Sequence, residues 1–125
     1  MSLIVNGPDR LTRFLYNKAD FSPGKGKVRP RAFERVPGDD GLSTFLTEGL
    51  EREAVEALGR AQRAQSLKAL ANLPAKTYIE NELRLDPDNI PERHVHIVGW
   101  PTDEEIELEI RTKLADAAEL IRVTP

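Results

Sequence analysis

The chain has 125 residues, 39% hydrophobic and 31% charged, with a formal net charge of -3 and no cysteine. Such a chain suits one globular domain that buries roughly two-thirds of the surface its unfolded form exposes, and the missing thiol excludes disulfides, thiolate metal sites and a cysteine nucleophile. Cations concentrate early: residues 1 to 36 hold eight Lys or Arg against three acids, a net of +5 that leaves -8 for the remainder and can steer an anionic partner to one end of the molecule.

Residues 1–10, with the turn signal Asn6-Gly7-Pro8-Asp9, read as a flexible lead-in to a single domain over 11–125. The apolar start Leu3-Ile4-Val5 is too short for a signal-peptide core, and no run is long enough to span a membrane, so a cytoplasmic location is expected. Leu11 to Tyr16 is read as a strand, with Leu11, Arg13 and Leu15 alternating against Thr12, Phe14 and Tyr16, although Leu11, Phe14 and Leu15 also stand at helical spacing. Asn17 to Lys27 is a loop of breakers and cations. It is not a phosphate loop, because Val28 follows Lys27 and no glycine stands at the required distance upstream.

Val28 to Val36, which carries Pro30 and is followed by Pro37, is predicted to be an edge strand with Arg29, Arg31, Phe33 and Arg35 on one face. Gly38-Asp39-Asp40-Gly41 is a turn, and Leu42 to Thr47 alternates again with Ser43, Phe45 and Thr47 together, so a hairpin joining the two stretches is expected. From Thr47 the period changes. Leu50, Ala54, Ala57, Leu58, Ala61 and Ala64 recur at helical spacing, which predicts a helix that breaks at Gly59 or runs to about Ala71.

Lys76 to Asp86 reads as a strand with Ile79, Leu83 and Leu85 on one face, closed by the turn Asp86-Pro87-Asp88-Asn89. Arg93 to Trp100 can pair antiparallel with it. There Val95 and Ile97 share a core-facing side while His94, His96, Val98 and Trp100 face water or a groove. Pro101 ends this strand, and Thr102 with Glu105 forms a capping box before the helical stripe Ile106, Ile110, Leu114, Ala117, Ala118 and Ile121. The order implies an α+β fold: a mostly antiparallel sheet of about four to five strands with two helices packed on one face.

Leu-Thr-Arg-Phe-Leu-Tyr (11–16), Val-Arg-Pro-Arg-Ala-Phe (28–33), Leu-Ser-Thr-Phe (42–45) and Arg-His-Val-His-Ile-Val-Gly-Trp-Pro (93–101) together resemble an uncharacterised family of small bacterial proteins. The resemblance implies a bacterial source and brings no activity with it.

Three roles fit these residues. A protein-interaction or assembly component, paired with a partner or with itself, asks for the fewest special groups and is the first expectation. A polyanion or nucleic-acid binder would use Lys25, Lys27, Arg29 and Arg31, with Phe33 and Trp100 as aromatic platforms, although the pI of about 5.5 opposes general DNA binding. A small enzyme would use His94 and His96 as acid or base, or as metal ligands with an unidentified carboxylate, since imidazole titrates near ~6.5. Arg93, on the opposite strand face, is badly placed to assist. Ser22, Ser43 and Ser66 sit in no nucleophile-elbow context, so the sequence supports no hydrolase triad. No cofactor is implied.

Overall fold

Alternating side chains build a single large antiparallel sheet in the computed structural model, which describes residues 3–123. In chain order the strands are β1 (Arg10–Leu15), β2 (Phe21–Ser22), β3 (Lys27–Val28), β4 (Leu42–Leu46), β5 (Ala69–Pro74), β6 (Arg84–Asp86), β7 (His94–Val98) and β8 (Glu119–Arg122). The helices are α1 (Arg52–Gln62), α2 (Ala75–Glu80) and α3 (Glu104–Ala117). Six strands pair in the order β6-β7-β4-β1-β5-β8, while β2 and β3 form a separate two-stranded ribbon. The architecture is α+β, with more strands than expected.

Each face of the sheet has its own core. Leu11, Leu15, Leu42, Leu46, Val95 and Ile97 are buried on one side with Phe33, Tyr78 of α2 and Leu114 of α3. Phe14, Phe45 and Leu70 project to the other, where Val55 of α1 and Leu67 complete a smaller cluster. Burying each such side chain contributes roughly 1.5–3 kcal/mol, so the sheet is held from both sides. The expectation of helices on one face is corrected: α1 covers part of the second side.

The closest approach of α1 to the sheet is at Gly59. A Cβ there would lie 2.6 Å from Phe14 Cδ1 and 2.9 Å from Leu67 Cδ2, and the Gly59 carbonyl accepts a 2.6 Å hydrogen bond from the Tyr16 hydroxyl. Small size at this position lets α1 seat on an aromatic ring through Val55, Leu58 and Gly59, whereas Ala54, Ala57 and Ala61 of the expected stripe are exposed.

Several local expectations give way to tertiary structure. Helix formers continue past Gln62, yet Ala69–Pro74 is a central strand, held by six paired positions to β1 and four to β8. Lys76–Asp86 is mostly not strand: α2 occupies 75–80, Ile79 is exposed, and only Arg84–Asp86 pairs with β7. The proposed hairpin between 28–36 and 42–47 does not form. Pro30–Phe33 is a 3-10 turn, and β4 pairs with β7 and β1.

The cap of α3 is Asp103, whose carboxylate accepts from the Glu105 and Ile106 amides, not Thr102. The helix stops at Ala117 and Ile121 belongs to β8. Within the lead-in, Leu3 and Val5 pack on the core, and the Gly7 and Asp9 carbonyls accept from Lys76 and Ala75 N–H, so residues 3–9 are held by contacts. No helix among the described residues is long and apolar enough to cross a membrane.

Candidate active site

The sheet splits in its middle. β1 and β4 pair only at Leu11↔Leu46 and Thr12↔Phe45, after which β1 stays with β5 as far as Leu15↔Ala69 while β4 stays with β7 as far as Leu42↔Ile97. Divergence leaves backbone groups without a strand partner, and such groups need substitutes. Arg13 supplies them: its Nη1 donates to the Ser43 carbonyl at 3.0 Å and its Nε to the Ala32 carbonyl at 2.9 Å. Burial pushes the Arg13 guanidinium below its ordinary pKa, with Tyr78 and Asp20 acting the other way; a guanidinium still keeps its charge in proteins.

A cleft of about 770 Å³ opens at this split, a size common for small-molecule sites. Ser43 and His94 line it, and Asp88 meets His94 from behind. His94 Nε2 lies 3.0 Å from Ser43 Oγ, and His94 Nδ1 lies 2.7 Å from Asp88 Oδ1. Ser43 faces His96 directly across the β4–β7 ladder, so His94 reaches it along the diagonal. Asp88 arrives from the β6–β7 loop, where the Ile90 amide donates to its carboxylate and the Asn89 amide donates to the His94 carbonyl.

Electrostatics follow from this geometry. Burial, the largest single influence on Asp88, works against its charge; the hydrogen bond from His94, that from the Ile90 amide and the nearby imidazoles together outweigh it and hold the carboxyl below its usual range. A carboxylate on Nδ1 fixes the proton there and leaves the Nε2 lone pair facing the Ser43 hydroxyl. His94 is only 7% exposed, packed against Phe45, while Ser43 is exposed to the cleft.

His96 projects to the same side, as its alternation predicts, with its ring 5.6 Å from that of His94. The two do not converge on one ion, because both His94 nitrogens are engaged. His96 Nε2 instead lies 3.2 Å from carboxylate oxygens of both Asp39 and Asp40. Gly41 makes room for it, since a Cβ there would fall 2.4 Å from Nε2. Asp39 is held below its usual range first by the Gly41 N–H, against burial, and then by the His96 charge. These three residues bring ligand atoms within 4.8 Å of one another. A metal on Nε2 would require an acceptor for Nδ1–H, but Nδ1 is buried without a hydrogen-bond partner among the described residues. The donor set fits an imidazole bonded to carboxylates better than a metal ligand.

The other sequence candidates disperse. Phe33 is fully buried, so it is a core ring and not an aromatic platform. Trp100 packs at the edge of the first core, donates Nε1–H to the Ile97 carbonyl at 2.9 Å and lies under Arg35. It borders no part of the cleft and does not cover the histidines. Arg93 clamps the end of β4 through the Leu46 and Glu48 carbonyls. Lys25, Lys27 and Arg29 are exposed on or beside the two-stranded ribbon, and of the four proposed anion binders only Arg31 lines the cleft, paired with Asp20 at 3.0 Å.

Ser43, set aside on sequence grounds, is the residue the structure adds. Its signal was the shared face with Phe45; what was missing was the identity of the neighbouring strand. Among protein-family models, curated proteins and solved structures, none matches this chain. The class is therefore defined by the fold and the cleft alone: an α+β protein with a Ser-His-Asp cluster at a split antiparallel sheet.

Proposed function

We propose that the protein is a small hydrolase or acyl transferase that uses Ser43 as nucleophile. The observation that carries this reading is the continuous hydrogen-bonded series Ser43–His94–Asp88 opening into a cleft. His94 Nε2 takes the Ser43 proton as Oγ attacks an acyl carbon, and Asp88 positions the ring and offsets the imidazolium charge. The same proton then passes from His94 to the departing alcohol or amine, leaving an ester on Ser43. Water, deprotonated by His94, releases the acid and regenerates the serine. Arg13, held on the Ser43 carbonyl and lining the cleft, adds positive charge to it.

Ser43 lies on a regular strand, not at the tip of a sharp strand-to-helix turn. Access comes instead from the divergence of β1, which uncovers it. The exposed large apolar side chains Ile4, Val36, Ile79, Ile90, Ile106 and Leu108 come from five segments of the chain.

The test is labelling by a small neutral fluorophosphonate, read by mass spectrometry, together with hydrolysis of p-nitrophenyl acetate. Labelling confined to Ser43, lost in Ser43→Ala and reduced at least about 100-fold in His94→Ala, is the expected outcome. Absence of labelling in a folded wild-type protein, or equal esterase rates in wild type and Ser43→Ala, would refute it.

A further inference from the structure

We infer that the cleft beside Ser43 binds a phosphate-bearing small molecule, and that Lys18, Arg63 and Lys68 are the residues that hold its phosphates. The inference rests on the reading of Ser43 as nucleophile and names the kind of acyl donor it takes.

Six cationic side chains line the cleft against two acids, Asp20 and Glu34. Internal pairing accounts for part of this excess. Arg31 is bonded to Asp20, Arg35 to Glu107, and Arg13 to the Ser43 and Ala32 carbonyls. Lys18, Arg63 and Lys68 form no ion pair among the described residues. Three like charges around one concavity repel each other, and a protein retains such an arrangement at a cost unless an anion relieves it.

Their supports are fixed. Lys18 stands in a 3-10 turn capped by Asn17, whose side chain accepts from the Ala19 amide. Arg63 lies over the Tyr16 ring at 5.2 Å. Lys68 continues β5, its amide donating to the Leu15 carbonyl and its carbonyl accepting from Val123. The cations thus come from three parts of the chain and face one space.

A second cavity of about 480 Å³ shares Arg63, Gln65 and Lys68 with the first and adds Arg60, which is paired with Glu56 at 3.1 Å. Arg63 and Lys68 therefore border both spaces. A single carboxylate would satisfy one of these cations; a diphosphate, with several charged oxygens, can answer more than one of them at once. The volume suits a small molecule, and the exposed basic groups on or beside the ribbon, Lys25, Lys27 and Arg29, line neither cavity.

The experiment titrates inorganic pyrophosphate into the full chain by calorimetry. Saturable binding is expected. It should weaken at least tenfold in Arg63→Glu/Lys68→Glu and several-fold in the milder Lys68→Gln, and stay unchanged in Lys25→Glu. Circular dichroism establishes that each variant is folded. Ser43→Ala should bind pyrophosphate as wild type does, and Arg63→Glu/Lys68→Glu should still be labelled at Ser43 by the neutral fluorophosphonate, so loss of nucleophile and loss of phosphate site are read separately. No saturable binding, equal weakening by Lys25→Glu, or binding of single-stranded RNA in place of pyrophosphate would overturn the inference.

Discussion

Phe45 stands directly opposite His94 on the β4–β7 ladder, and the two rings meet edge to face with centroids 5.3 Å apart. Phe14 lies 5.3 Å from Phe45 on the other side, so the imidazole continues a row of rings that His96 extends. Replacing Phe45 by leucine keeps apolar volume but removes the flat wall that fixes the ring. Phe45→Leu is expected to lose about 1–2 kcal/mol of stability and to slow fluorophosphonate labelling of Ser43. Denaturant midpoints and labelling rates, measured together, check this. Lost stability with an unchanged labelling rate would mean the ring merely packs.

Asp88 and Asp39 both have carboxyl pKa values depressed in the folded protein. The unfolded chain, with aspartate near ~3.9, therefore takes up protons at higher pH than the fold does. Their stabilisation is complete above that value and drains as pH falls through the lower folded-state pKa values. Urea midpoints should be flat in these two groups' contribution between about pH 7 and 5 and decline below about pH 4. Asp88→Asn should lower the midpoint at pH 7 and make the acid decline shallower; an equally steep decline in that variant would remove Asp88 from the account.

Gly59 sits within α1, where alanine would ordinarily add about 1 kcal/mol through helix propensity. The ring of Phe14 forbids the gain, because the new methyl would lie 2.6 Å from it. Gly59→Ala should destabilise by up to roughly 2 kcal/mol after the propensity gain is subtracted from the overpacking cost. Thermal unfolding decides: a raised Tm would show that α1 can move away from the sheet freely.

How much of this was legible beforehand depends on the range over which each signal acts. Alternation placed Val95 and Ile97 in the core and turned His94 and His96 to the other side, as the ladder shows. The same rule put Ser43 with Phe45, and the Asp86-Pro87-Asp88-Asn89 turn was plain from its residue types. Alternation failed where propensity and context disagreed: alanine-rich Ala69–Pro74 looked helical, but in the middle of a sheet with both faces covered, small side chains are what neighbouring layers accept.

By itself, then, the sequence determined which side chains share a face and where turns fall, because those properties depend on residues only a few positions apart. It could not decide that Ser43 and His94, 51 positions apart, would share a hydrogen bond, nor that Lys18, Arg63 and Lys68 would border one cleft. Strand order and register answer to the burial of whole faces, and that balance is struck across the entire chain once the sheet closes and β1 parts from β4.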